Sequence, residues 1–333
     1  MTAPKGLFWN SSERRLRAAW RIALLPLVIA VIAFAPLALI ARRLETNYDA
    51  GLWLAGESRA MFDKTMDFIV SPLFSMLIVF AVLLAARLID RRDPRTLGLR
   101  IDKAWRAEFL FGLFIGAAMI AAVFAAEVAL GWVRVAPRAE PSIAGVPIAM
   151  LWAFVTMKPV CIGTYEEIVS RGALLKNAAE GLRAVAPPKA AALLAAVVVA
   201  FIFSALHAAT DNFSAASFWG LALNGMLFAL PVLLTGRLAM SIGMHMTWNF
   251  TQGAVFGYPV SGDVENISLL TSEATGPLAW TGGAYGPEAG LLAAIAMIAG
   301  AAAILAFIGA RDRRLTILDD IATYRPARKS PLS

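Results

Sequence analysis

A chain of 333 residues that is 59% hydrophobic and only 16% charged, with mean hydropathy +0.68, is too apolar for an ordinary soluble domain. Its 30 basic and 23 acidic residues leave a net charge of +7, but the excess gathers at the ends of apolar runs and forms no stripe, which excludes nucleic acid as a partner. The one cysteine, Cys161, rules out an intrachain disulfide and a cysteine-based zinc knuckle; it is expected to be buried and inert.

Residues 1–21 read as a basic cytoplasmic or interfacial segment. Phe8, Trp9 and Trp20 alternate there with Arg14, Arg15 and Arg17, as in a helix lying in the membrane interface, the alternative being a frayed basic tail. No short apolar region with a small-residue cleavage site follows, so the first apolar run is expected to be a retained anchor. Spanning a bilayer takes about 20 mainly apolar residues. Eight stretches come close, near Ile22–Ile40, Asp67–Ala86, Phe109–Val133, Val146–Leu175, Ala190–His207, Ala215–Thr235, Leu238–Gly257 and Ala289–Ala310. The expected fold is therefore all-α, a polytopic transmembrane helix bundle of about eight spanning helices.

The domain organisation follows the same order. Residues 22–145 hold the N-terminal transmembrane helices and 146–257 a core in which the polar motifs concentrate. Residues 258–288 form an external loop rich in glycine and proline, turning at Gly276-Pro277 and Gly286-Pro287. The last transmembrane helix, 289–310, leads to a basic cytoplasmic tail, 311–333. Lys158-Pro159 interrupts the fourth stretch, where the proline removes a backbone bond and should kink the helix. Arg91, Arg92, Arg95, Arg100, Lys103 and Arg106 crowd the second connection, and Arg311, Arg313, Arg314, Arg325, Arg328 and Lys329 follow the last span. Asp263, Glu265 and Glu273 lie instead in the long loop. Positive-inside logic then puts both termini in the cytoplasm, in agreement with an even number of spans. No internal repeat is visible, which weakens a transporter built from inverted halves.

Three polar motifs stand inside apolar segments, and ionisable groups at such positions are functional-site candidates by default. The first is Glu166-Glu167-Ile-Val-Ser-Arg171. On a helix Glu167 and Arg171 share a face and can pair, whereas Glu166 lies about 100° round the helix and is left to take a proton from water. Partial desolvation raises a carboxyl pKa and improves it as a general base near neutral pH. The plainer reading is a solvated helix end. The second motif, Phe203-x-x-x-His207, puts an aromatic ring and an imidazole on one face; alone it reads as a core histidine satisfied by a backbone carbonyl. The third, His245-Met-Thr-Trp-Asn249, repeats the spacing with an amide in place of the second histidine of helical zinc motifs. Asn249 can instead donate to a developing oxyanion, and the adjacent Trp248 reads as packing. Glu127 and Asn224, within the third and sixth stretches, are expected to face protein and bond between helices.

The three motifs in this order across consecutive apolar helices resemble the CPBP family of intramembrane metalloproteases. That family includes CAAX prenyl endopeptidases and the bacteriocin-immunity-type membrane proteins of the ABI group. The resemblance covers about Met150 to Gly257. It implies an intramembrane endopeptidase acting on a membrane-associated or lipid-modified protein, in a cavity enclosed by helices 4 to 7. Glu166 is then the water-activating residue, His207 and His245 its partners, Asn249 the stabiliser of the reacting carbonyl, and Glu167 with Arg171 the structural pair. The family name implies a divalent metal, zinc in first place, on His207 and His245 with Glu166 and Asn249 as further ligands; a metal-independent glutamate-activated water is the alternative. The expected partners are the lipid bilayer and a membrane-associated protein or peptide substrate. The expected location is the inner (plasma) membrane of a bacterium. A non-enzymatic immunity-type partner protein and an ion-coupled transporter are the rival readings.

One conflict remains within the sequence. His207 ends the fifth stretch, near one side of the membrane, and His245 lies early in the seventh, near the other. A shared site requires similar depth, through a fifth helix starting shallow or an Ala208–Ser214 turn sunk inside the protein.

Overall fold

The computed structural model describes residues 6–49, 59–137 and 145–326. Arg328 and Lys329 of the basic tail lie outside the described residues. The described residues form a helix bundle with two short two-stranded sheets. Among the described residues, seven helices are long and apolar enough to cross a membrane: α1 (Ala18–Thr46), α2 (Met61–Leu88), α3 (Lys103–Leu130), α4 (Ile148–Leu182), α5 (Pro188–Leu206), α6 (Ala215–Thr235) and α8 (Leu291–Asp312). Between α6 and α8, α7 runs as an α-helix over Ala239–Asn249 and continues as a π-helix over Phe250–Val255. It is the shortest of the eight and the one that carries His245. Phe80, Leu110 and Phe114 are more than half exposed, as side chains facing lipid would be.

The N-terminal segment departs from the expected interfacial helix. Trp9–Asn10 (β1) pairs antiparallel with Arg15–Leu16 (β2). Asn10 Oδ1 accepts from the Ser12 and Glu13 amides, and Arg14 takes a positive φ of 55°, so a turn is set locally. Arg15 is then drawn inward. It pairs with Glu180 of α4 at 2.8 Å and its guanidinium lies 3.4 Å from the centroid of the Tyr324 ring. Arg21 and Arg92 join the same carboxylate at 2.8 and 2.6 Å. The first and last described segments thus meet at one end of the bundle, the basic end.

At the opposite end, Val133–Pro137 (β3) pairs with Leu270–Ala274 (β4). The connection from α7 to α8 is folded back on the bundle: the Gly262 amide donates to Tyr285 O at 2.8 Å, and the Gly276 amide to Trp132 O at 3.0 Å. We call this the loop end.

The depth of α7 settles the conflict between the histidines. A Cβ on Gly112 would run into the Met240 backbone, one on Gly116 into that of Met244, and one on Gly243 into Phe109 O. These glycines let α3 and α7 touch at backbone distance, the small-residue packing that membrane helices use. Gly112 meets Met240 and Gly116 meets Met244, so the two helices run parallel, with α7 starting about eight residues into α3. At 1.5 Å per residue that is roughly 12 Å in from the end of α3. The Leu238 amide donates to Gly98 O at 3.1 Å and the Leu318 amide to Leu233 O at 2.9 Å. The recessed start is thereby covered by the second connection and by the tail. His245 lies deep because its helix starts deep.

Candidate active site

α4 supplies the acids. It continues through Pro159, and its hydrogen-bond pattern switches to a π-helix over Ile168–Leu174, directly after the acidic pair. Asn249 likewise stands directly before the π-helix of α7. Single π turns inside α-helices are recurrent at functional positions because they re-aim the side chains beside them.

Glu167 and Arg171 are both buried and form an ion pair, Nη1 to Oε1 2.8 Å. The other side of the guanidinium donates from Nη2 to the carbonyl of Gly225 on α6 at 3.2 Å, and its carbon lies 4.6 Å from the centre of the Phe203 ring. A charge this deep needs such complete partnering. Glu167 Oε1 also accepts from His245 Nδ1 at 3.0 Å. A carboxylate can only accept here, so Nδ1 carries the proton and Nε2 is left as the basic nitrogen. That Nε2 stands 3.9 Å from Glu166 Oε2, an oxygen with no hydrogen-bond partner.

His207 is fixed in the same way by a different group. Its Nδ1 donates to Phe203 O, one turn back, at 2.8 Å, which again leaves Nε2 uncommitted. The backbone satisfaction expected of a core histidine is therefore real, and it is what sets this tautomer. Phe203 stands between the two imidazoles, with ring centroids 4.8 Å from His207 and 6.4 Å from His245.

Glu166, His207, His245 and Asn249 all line one cavity of about 200 Å³. Among the described residues no hydrogen bond joins His207 or Asn249 to Glu166; what unites the four is the shared cavity. Trp248 is buried in the apolar core beside Phe228 and Met244 and takes no part. Of the two isolated polar residues, Asn224 lines the cavity with an Oδ1 that lacks a partner. Glu127 instead accepts from Tyr258 OH at 2.6 Å, away from it. Cys161 is only partly buried, contrary to expectation.

Residues 147–251 match the family model described as type II CAAX prenyl endopeptidase Rce1-like. The matched segment contains all seven motif residues, Glu166, Glu167, Arg171, Phe203, His207, His245 and Asn249. Together with the seven apolar helices, it makes the chain an integral membrane protein. No curated protein and no solved structure matches the chain.

The roof of the cavity lies outside the Rce1-like domain and was not legible as part of the site. Val260, Ser261, Asp263, Glu265 and Glu288 come from the loop end. Lys158 of α4 clamps this roof, with Nζ 2.6 Å from Asp263 and 2.8 Å from Glu265. Glu288 is buried and accepts from Gln252 Nε2 at 2.6 Å and from the Ser261 amide at 3.1 Å. Burial raises its carboxyl to about 7, because two hydrogen bonds replace only part of the lost hydration. The one sequence signal was a buried-looking acid among turn residues just before α8.

The two free Nε2 atoms and Glu166 are donors of the kind a divalent cation takes. Among the described residues, however, no group of three or more His, Cys, Asp or Glu is placed to hold a metal ion. That falls short of the three good protein ligands a catalytic zinc keeps.

Proposed function

We propose that the chain is an intramembrane endopeptidase that hydrolyses a peptide bond of a membrane-associated or lipid-modified protein through a glutamate-activated water. The observation that supports it most is the chain of contacts from Arg171 through Glu167 to His245, which leaves His245 Nε2 facing the unpartnered Glu166 Oε2 at 3.9 Å. Two acceptors at that spacing suit one water donating to both. Glu166 takes one proton of that water as its oxygen adds to the scissile carbonyl carbon, while His245 orients it by accepting the other at Nε2, and His207 lines the same cavity. The Asn249 amide donates to the oxyanion that forms. Glu166 then passes its proton to the departing amide nitrogen as the C–N bond breaks.

A cavity of about 200 Å³ admits a short extended segment and excludes an intact helix, which is about 10–12 Å across with its side chains. C-terminal tails and unwound juxtamembrane segments are therefore the substrates of this reading. The basic end, where the first and last described segments meet, faces the cytoplasm of a bacterial inner membrane by the positive-inside rule.

A divalent metal, zinc first, is the other way to activate the same water; His207 and His245 would hold it with Glu166 or Asn249, and it would supply Lewis acidity. Treatment with a strong chelator is expected to leave turnover unchanged, and a loss restored by zinc alone would replace the unaided carboxylate.

The direct test adds purified wild type or Glu166→Ala to a solubilised membrane proteome and catalogues new peptide termini by mass spectrometry. Termini made by wild type alone are expected. Identical catalogues from two folded proteins would refute the proteolytic reading and favour an immunity-type binding role.

A further inference from the structure

A second cavity, of about 320 Å³, opens at the basic end. Its walls come from the connection between α2 and α3, the last turns of α4, the turn after α6 and the C-terminal tail. Six cations line it, Arg92, Arg95, Arg100, Lys176, Arg237 and Arg325, against two carboxylates, Asp102 and Asp320. Three of the six are already engaged by acids: Arg92 by Glu180 and Asp90, Arg237 by Glu108, and Arg325 by Asp320. Asp102 is committed to capping α3, accepting from the Trp105 amide at 2.9 Å.

The other three have no ion-pair partner among the described residues. Arg95 and Arg100 are exposed, whereas Lys176 is only 7% exposed. The hydrogen-bond partner of its Nζ is a neutral carbonyl, Thr96 O. Glu180 and Asp320 favour its charge through space, but an ammonium this buried with no carboxylate in contact is costly unless an anion joins it. Nothing in the peptidase reading uses this pocket.

We propose that this pocket binds a phosphate group, carried by an anionic lipid headgroup or free in solution. Lys176 is the buried counter-charge, and Arg95 and Arg100 close on the phosphate oxygens with the forked geometry that suits them. The position favours a lipid. The pocket lies at the ends of α3, α4 and α6, where headgroups sit, and Ile101, beside Arg100, is 64% exposed. Basic pockets between helix ends on the cytoplasmic side are a recurrent way to hold acidic headgroups.

The test uses the full chain purified in a neutral detergent, titrated separately with phosphatidylglycerol, phosphatidylcholine and inorganic phosphate, with native mass spectrometry as the readout. Retention of phosphatidylglycerol and not of phosphatidylcholine is expected. The surface variant Arg95→Gln/Arg100→Gln is expected to weaken retention about 25-fold, at roughly fivefold per cation. Arg134→Gln, at the loop end, is expected to leave it unchanged. Lys176→Met, if it remains folded by size exclusion, is expected to weaken it further. Saturable binding of inorganic phosphate that displaces the lipid would support the site and assign it to the free anion. Equal retention by wild type and the double variant would overturn the proposal, as would equal loss in Arg134→Gln or no binding of either phosphate source.

Discussion

The Nδ1–H of His245 donates to Glu167 Oε1 at 3.0 Å, the same oxygen that pairs with Arg171. One buried oxygen therefore compensates a guanidinium and sets a tautomer. Glu167→Gln removes the charge and leaves Arg171 buried and uncompensated. A loss of about 3–5 kcal/mol is expected from breaking such a pair, measured as a lower unfolding midpoint in detergent. An unchanged midpoint would show that water or Gly225 O alone satisfies the guanidinium.

Glu166 and Asn249 separate by kinetics. Glu166→Gln keeps the shape and removes the base, so turnover should fall about 10²–10⁴-fold. Asn249→Leu removes a donor that matters as the oxyanion forms. It should lower kcat about 10²–10³-fold with KM nearly constant. A substrate found through the terminal-peptide catalogue serves for both measurements.

Glu288 makes stability depend on pH. Its carboxyl is raised by burial to about 7, above its value in the unfolded chain, so the folded state holds the proton more tightly. Between about pH 4.5 and 7 the unfolded state binds fewer protons, and stability falls as pH rises through that window. The full effect is bounded by about 3.5 kcal/mol, at about 1.4 kcal/mol per pH unit. Unfolding midpoints of wild type should decline across the window, and those of Glu288→Gln should lose this component.

Gly116 carries the approach of α7 to α3. A side chain there meets Met244 O and Thr247 Oγ1, both on the helix that holds His245. Gly116→Val is expected to abolish a monodisperse, active protein. Gly131 has φ +68° and faces open space, with no neighbour within 4 Å of where a Cβ would stand. Gly131→Asn, which tolerates that backbone, should therefore be nearly neutral. Size-exclusion profiles of the two variants compare them directly.

The bundle was legible because each span is a long apolar run, and periodicity plus length suffice for that. The Glu167–Arg171 pair was legible because it is local, four residues apart on one helix. What escaped the sequence is set by distant contacts. The β1–β2 hairpin depends on Arg15 reaching Glu180, 165 residues away. The recessed α7 depends on Gly112-x-x-x-Gly116 meeting Met240 and Met244, a spacing that is visible but whose partner is not. The roof of the cavity depends on Lys158 finding Asp263 and Glu265, which neither helical pattern nor turn chemistry announces.

The clamp of Lys158 on the loop end carries one more consequence. The cavity is roofed from the face opposite the basic end, and the basic end beneath α7 is plugged by the second connection and the described part of the tail. Under the proposed peptidase reading, an incoming strand would enter sideways between helices or past the clamp, and a fragment released into water would leave on the face far from the described part of the tail. Cleavage would be vectorial: the severed piece departs on one side, while anything that senses the enzyme through its basic tail stays on the other.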